Sequence, residues 1–169
     1  ALAAGAPSSH VLGVDISHDL LQVARVRGKD RPNLRFELAN AANWHAGAAE
    51  RPDLVVSRHG VMFFADPTAA FTHIAGQAAP GARLAFSCFR ERADNIWARE
   101  LASIAPPGEE PAPDPEAPGP FAFGRRERTE TLLAQAGSAL FEAEHYHCLK
   151  ALRALLPRED RLLAHRKSA

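Results

Sequence analysis

The tightest constraint on this chain is a set of short apolar runs separated by stretches of helical period. Val11 to Ile16 (Val-Leu-Gly-Val-Asp-Ile) is rich in β-branched residues and predicts a buried strand ending at Asp15. Ser17 follows as a helix N-cap, with Asp19 in the first turn, where the helix dipole favours an acid. Leu20, Leu21, Val23 and Ala24 predict the apolar stripe of a helix that stops near Gly28. Asn33 to Leu38 alternates as a strand, with Leu34, Phe36 and Leu38 on one face. Asp53 to Ser57 predicts another buried strand. Asp66-Pro67 is an N-cap followed by proline at the first helical position, and Ala70, Phe71, Ile74 and Ala78 share a face of the helix it opens. Pro80-Gly81 ends that helix, and Ala82 to Ser87 begins the next strand. This order is the rhythm of a parallel sheet with crossover helices.

Further along, Asn95 to Ile104 predicts a helix, and the proline- and acid-rich stretch 106–120 an irregular loop, ordered or flexible. Arg125 to Ala136 predicts a helix with Leu132 and Leu133 inward and Gly137 as its stop; Arg125, Arg126 and Arg128 read as a solvated face. From Ser138 the pattern weakens. Leu149, Leu152, Leu155 and Leu156 have helical spacing, which Pro157 interrupts.

At 169 residues the chain suits one domain with a sizeable core. Twenty basic residues offset twenty acidic ones, so the overall charge carries no footprint for nucleic acid or an anionic membrane. A small molecule is the expected partner, and oligomeric state is left open. Cys88 and Cys148 form neither a disulfide framework nor a zinc spacing, and they fit a reducing, cytoplasmic setting. No apolar run is long enough to span a bilayer, and Ala1 to Ala6 lack the basic leader of a signal peptide. His145-Tyr146-His147-Cys148 could share a strand face, but no second cluster completes a metal site, so no metal is expected.

The ordered motifs resemble the class I methyltransferases that use S-adenosylmethionine, especially the ubiquinone/menaquinone-type branch. Five pieces over roughly the first four fifths of the chain carry the resemblance. They are Gly13-Val14-Asp15-Ile16-Ser17 with Leu20-Leu21 and Ala24; Phe36 to Ala41; Asp53-Leu54-Val55-Val56-Ser57-Arg58-His59-Gly60-Val61-Met62-Phe63-Phe64; Pro80-Gly81-Ala82-Arg83-Leu84; and Leu132 to Gly137. The implied fold is α/β: a Rossmann-like, mostly parallel sheet with flanking helices. Its expected extent is residues 1–137, with 138–169 a divergent C-terminal segment.

A carboxylate at a strand tip has two acceptor oxygens at the right separation for a ribose diol, and Asp15 holds that position. The plain alternative is a solvated strand-end acid. Ile16 resembles the apolar residue on the adenine face, or is ordinary core. Asn40 stands where the family often has an aspartate touching the adenine amino group; it could equally cap a turn. Ala41 would offer its N–H to the adenine ring. Near Ser57 and Arg58 the resemblance implies backbone carbonyls that meet the amino group of the methionine moiety. His59 is a candidate general base on an acceptor hydroxyl, against the plainer reading of a cleft-lining histidine. Val61 to Phe64 read as an apolar wall or as core, with Phe64 leaning to core. Methyl transfer asks mainly for alignment of acceptor, methyl and sulfur, so no catalytic signature is required.

Two departures stand out. The family's first strand and glycine-rich loop should precede Ala1, with Ala1 to Ala4 as the tail of the first helix and Gly5 to His10 as the loop into the second strand. The missing strand lies mid-sheet, so its loss would leave two strand edges unpaired and cofactor binding weak. The tail after Gly137 lacks the family's final strands. A nicotinamide-dependent oxidoreductase, in which Asp15 also binds a ribose, and a non-catalytic remnant of the fold are the alternatives.

Overall fold

The computed structural model describes residues 2–47, 50–104 and 114–137. Leu149 to Pro157 and the His145 to Cys148 cluster lie outside the described residues. The described chain divides into two compact units, with the boundary between His45 and Ala46. That division falls inside the expected domain 1–137. Its physical basis is that the strands form two separate two-stranded parallel sheets instead of one.

The first unit holds helix α1 (Leu2–Gly5), strand β1 (Val11–Asp15), helix α2 (His18–Gly28) and strand β2 (Leu34–Leu38). β1 pairs with β2 from Val11↔Leu34 to Asp15↔Leu38. The start of α2 follows from local chemistry. The Ser17 hydroxyl accepts from the Leu20 N–H at 3.3 Å, and the Asp15 carboxylate accepts from the Ser17 N–H at 2.8 Å. Two glycines make room for Phe36. A Cβ on Gly13 would stand 2.8 Å from its ring, and one on Gly28 would stand 3.2 Å from it and 2.8 Å from Leu34. Asn33 ties the entry to the sheet: its amide nitrogen donates to the carbonyls of Ala3, Ala6 and Ser9 at 3.0 to 3.2 Å.

This unit is thin. Its buried hydrophobic side chains, among the described residues, are Ala3 and Leu21. The expected buried strand β1 is half-buried along its whole length, and Leu38 is exposed. The predicted α2 stripe also divides. Leu21 is buried and Ala24 half-buried, whereas Leu20 and Val23 are exposed and line a hollow with Ala3, Ala4, Leu34 and Phe36. Helical period alone could not tell which of these residues had a layer to pack against.

The second unit contains strand β3 (Leu54–Arg58), a 3₁₀ turn (Val61–Phe63), helix α3 (Pro67–Gln77), strand β4 (Arg83–Ser87), a second 3₁₀ turn (Arg92–Asp94), helix α4 (Ile96–Ile104) and helix α5 (Arg126–Gln135). β3 pairs with β4 from Leu54↔Arg83 to Arg58↔Ser87. Asp66 caps α3 by accepting from the Ala69 N–H at 2.9 Å, with Pro67 at the first position. Gly81 (φ 78°) and Gly137 (φ 80°) make the left-handed turns after α3 and α5 that other residues take only with strain.

The main core lies here. Phe71 and Met62 are 1% exposed, and Leu84, Phe123, Leu132 and Leu133 pack with them. Phe71 meets Phe64 edge-on at 5.9 Å and leans on Phe86 and Phe123. Burying each large side chain contributes about 1.5–3 kcal/mol. β3, expected to be buried, is half-buried apart from exposed Arg58. Both sheets have an open edge. In the ladders, the Ala39 N–H donates to Asp15 O and the His59 N–H to Ser87 O. Pairing faces alternate along a strand, so Leu12 and Val14 of β1 and Val56 and Arg58 of β3 turn their backbone groups to edges that no described strand covers.

Candidate functional site

Two groups of the expected site residues form around strand tips. In the first unit, the parallel register brings the carboxyl ends of β1 and β2 together, and the Ala39 N–H donates to Asp15 O at 3.0 Å. Asp15, Ile16, Asn40 and Ala41 therefore share one end of one sheet. The Asp15 carboxylate keeps one oxygen without a partner among the described residues; its Oδ1 accepts from Ser17 and retains a second lone pair. Such a carboxylate can still receive a diol.

Ile16 is 74% exposed, which removes the core-packing alternative and leaves an apolar face open beside Asp15. Asn40 is a turn former: its Oδ1 accepts from the Ala42 N–H at 3.0 Å, and its backbone carbonyl from Asn43. The turn-capping reading thus holds for the side-chain oxygen, leaving its amide nitrogen as the outward group. The Ala41 N–H has no acceptor among the described residues. An open donor, an apolar side chain and a carboxylate at one sheet end fit the adenine and ribose of a nucleoside.

Ser57, Arg58 and His59 lie in the second unit, at the carboxyl end of β3. The ladder commits residue 57 toward β4, so Arg58 rather than Ser57 directs its carbonyl to the open edge. The Arg58 side chain is exposed. Gly60 allows the sharp exit from the strand, because a Cβ there would lie 3.1 Å from Ser57 Oγ.

His59 is the one non-glycine residue at positive φ (60°) among the described residues, a conformation that costs about 1–3 kcal/mol and concentrates at functional sites. Its ring lies parallel to Phe89 at 4.5 Å. That contact packs one face of the imidazole against an aromatic ring. Val61 and Met62 are buried, so they are core rather than cleft wall; Phe63 is 58% exposed, and Phe64 packs on the core.

The sequence reading missed an aromatic chain that continues from His59. Phe89 meets Trp97 at 5.5 Å, Trp97 stacks on Phe121 at 5.6 Å, and the Arg92 guanidinium lies 5.1 Å over the Phe121 ring. The residues are scattered from 59 to 121, and only the aromatic density of Phe121-Ala122-Phe123 marked any part of it. Of the residues read as a solvated face, Arg125 is exposed, whereas Arg128 is half-buried and makes structural ties. Arg125 pairs with Glu91 at 3.0 Å. Arg128 pairs with Glu116 and donates to the Ala122 carbonyl. Arg126 does face solvent, where its hydrogen bond to Glu130 and the charge of that carboxylate raise its pKa. Among the described residues, no group of His, Cys, Asp and Glu could hold a metal ion, and no helix is long and apolar enough to cross a membrane.

The strand-helix-strand units, each with a parallel strand pair, define an α/β domain of Rossmann-like type. Residues 1–86 match the family of methyltransferase domains, just over half of the chain, and the chain belongs to that family. An 84-residue stretch is 36% identical to a trans-aconitate 2-methyltransferase of Methylobacterium radiotolerans, covering 50% of this chain and 30% of that protein. Among solved structures, the N-methyltransferase NodS from Bradyrhizobium japonicum WM9 aligns over 83% of this chain and 65% of its own, with a TM-score of 0.51 and 16% identity. The second likeness is one of fold. The chain spans less than a third of the first relative and about two thirds of the second. The resemblance to class I methyltransferases holds. Neither match points to the ubiquinone/menaquinone-type branch or to a nicotinamide oxidoreductase.

Proposed function

We propose that this chain is an S-adenosylmethionine-dependent methyltransferase, or part of one, acting on a small-molecule acceptor. The observation that carries the reading is the shared sheet end of Asp15, exposed Ile16 and the open Ala41 N–H, within the part of the chain that matches the family. Asp15 holds the ribose hydroxyls, Ile16 lies against the adenine face, Ala41 donates to the ring, and the Asn40 amide reaches its edge. In the second unit, Ser57 and the outward carbonyl of Arg58 are separate candidates for the methionine end that the family resemblance implies. The cofactor supplies a sulfonium-bound methyl group that is already electrophilic. The protein's part is therefore to hold the acceptor in line and exclude water. His59 stays the candidate base for a hydroxyl acceptor. Residues 1–137 make up the family domain, 138–169 form its divergent C-terminal segment, and the setting is cytoplasmic.

The test is a ligand-observed NMR titration with adenosine and with S-adenosylhomocysteine. Saturable contacts from the purine and ribose protons are expected, and they should vanish in Asp15→Ala. Adenosine that makes no contact with the wild-type chain, or contacts Asp15→Ala equally well, would rule the assignment out.

A further inference from the structure

The aromatic chain leads from the tip of β3 to a hollow of about 580 Å³ in the second unit, a size usual for small-molecule sites. One side is the backbone after β4, residues 91–93; the other is the segment 114–122. That segment is held firmly. The Gly119 N–H donates to the Met62 carbonyl at 3.0 Å, joining it to the turn after β3. Gly124 lets it lie against the Glu91 backbone, since a Cβ there would come within 2.8 Å of the Glu91 nitrogen. Thr129, 3% exposed, donates to the Phe123 or Arg125 carbonyl. The walls are stiff, apolar ring surfaces: Pro115, Pro118, Pro120 and Phe121.

The lining carries three guanidinium groups and three carboxylates, so their pairing decides what the hollow can receive. Arg125 is taken by Glu91 and Arg128 by Glu116. Asp114 uses Oδ1 to accept from the Glu116 N–H, which forms its own turn. Arg92 has no carboxylate partner among the described residues; it is steadied only by the Phe121 ring beneath it. A guanidinium resting on a ring keeps its N–H edge available for a two-pronged bond to a carboxylate.

Building on the methyltransferase reading, we infer that this hollow is the acceptor subsite and that Arg92 selects a small carboxylic acid with an apolar body. The carboxylate bonds to the Arg92 edge, and the apolar body lies against the proline walls. The rest of the acceptor points along the aromatic chain toward His59 and the tip of β3.

The test uses three probes that share one apolar body, trans-cinnamate, its isostere cinnamamide and the cation cinnamylamine, in saturation-transfer NMR with the chain. Cinnamate is expected to bind about tenfold tighter than the amide, the scale of one charge-assisted pair of bonds at a partly exposed site. Arg92→Gln should abolish that preference. Arg92→Lys should keep part of it, and Arg126→Gln, outside the lining, should leave it unchanged. Equal binding of acid and amide, preference for the amine through Asp114, or no binding of any probe would each overturn the assignment. The adenosine titration runs on the same samples. Failure there with cinnamate selectivity retained removes the nucleoside assignment and leaves a carboxylate-binding hollow; the reverse removes only the subsite.

Discussion

Gly13→Ala is the sharpest probe of how the first unit is built. Gly13 is not at positive φ, so alanine is conformationally acceptable and, by itself, should contribute about 0.4–1 kcal/mol through the unfolded state. The neighbouring strand decides otherwise. The added methyl would lie 2.8 and 2.9 Å from two carbons of the Phe36 ring, where contact distances of about 3.5–4.0 Å are optimal. The ring must therefore move by close to 1 Å. Gly28 and Leu34 bound it on the far side, so it yields toward the hollow it lines rather than across the sheet face. Overpacking of this kind costs about 1–3 kcal/mol, which at the midpoints of the two ranges leaves a net loss of about 1.3 kcal/mol after the backbone gain. In a chain of this size that lowers Tm by about 2–8 °C, less if the second unit dominates the transition. Amide exchange of Val11 and Ala39, whose N–H groups donate across the ladder, is the more local readout. A double-mutant cycle isolates the cause: in a Phe36→Leu background the same substitution should be neutral or stabilising. Gly13→Ala that leaves exchange unaltered, or that costs as much in the Phe36→Leu background as in the wild type, would refute the packing of Phe36 between two glycines.

Other outcomes follow from single contacts. Asp15→Asn keeps an oxygen for the Ser17 N–H but loses the charge; it should preserve the fold and weaken S-adenosylhomocysteine about 10- to 100-fold by calorimetry. Asn33→Ala strips the donor shared by Ala3, Ala6 and Ser9 and should cost about 1–3 kcal/mol, read as faster exchange of the Val11 amide. Asp66→Ala should destabilise the second unit by about 1 kcal/mol in urea, with most of that recovered by Asp66→Asn. Gly124→Ala sets a methyl against the Glu91 backbone rather than a movable side chain, and near-UV circular dichroism should report loosened aromatic packing around Phe123.

Much of the architecture was legible in the amino acids because local rules govern it. Asp66-Pro67 begins a helix wherever it stands, Gly81 and Gly137 stop one, and the β-branched runs at 11–15 and 54–58 are extended. The strand-tip acid and its neighbours could also be named, since parallel pairing carries Asp15 and the 39–41 turn to one end of a sheet. Local chemistry along the chain thus dictates the order of elements, their caps and the groups at the first unit's strand tips. Which apolar residues are covered was settled only by packing: Leu21 but not Leu20, and Met62 but not Phe63. Packing also made Arg128 a tie and left Arg92 with only a ring beneath it. The reason is range: capping and extension depend on residues a few positions apart, whereas burial and charge pairing depend on groups that meet only after the chain has folded back across dozens of residues.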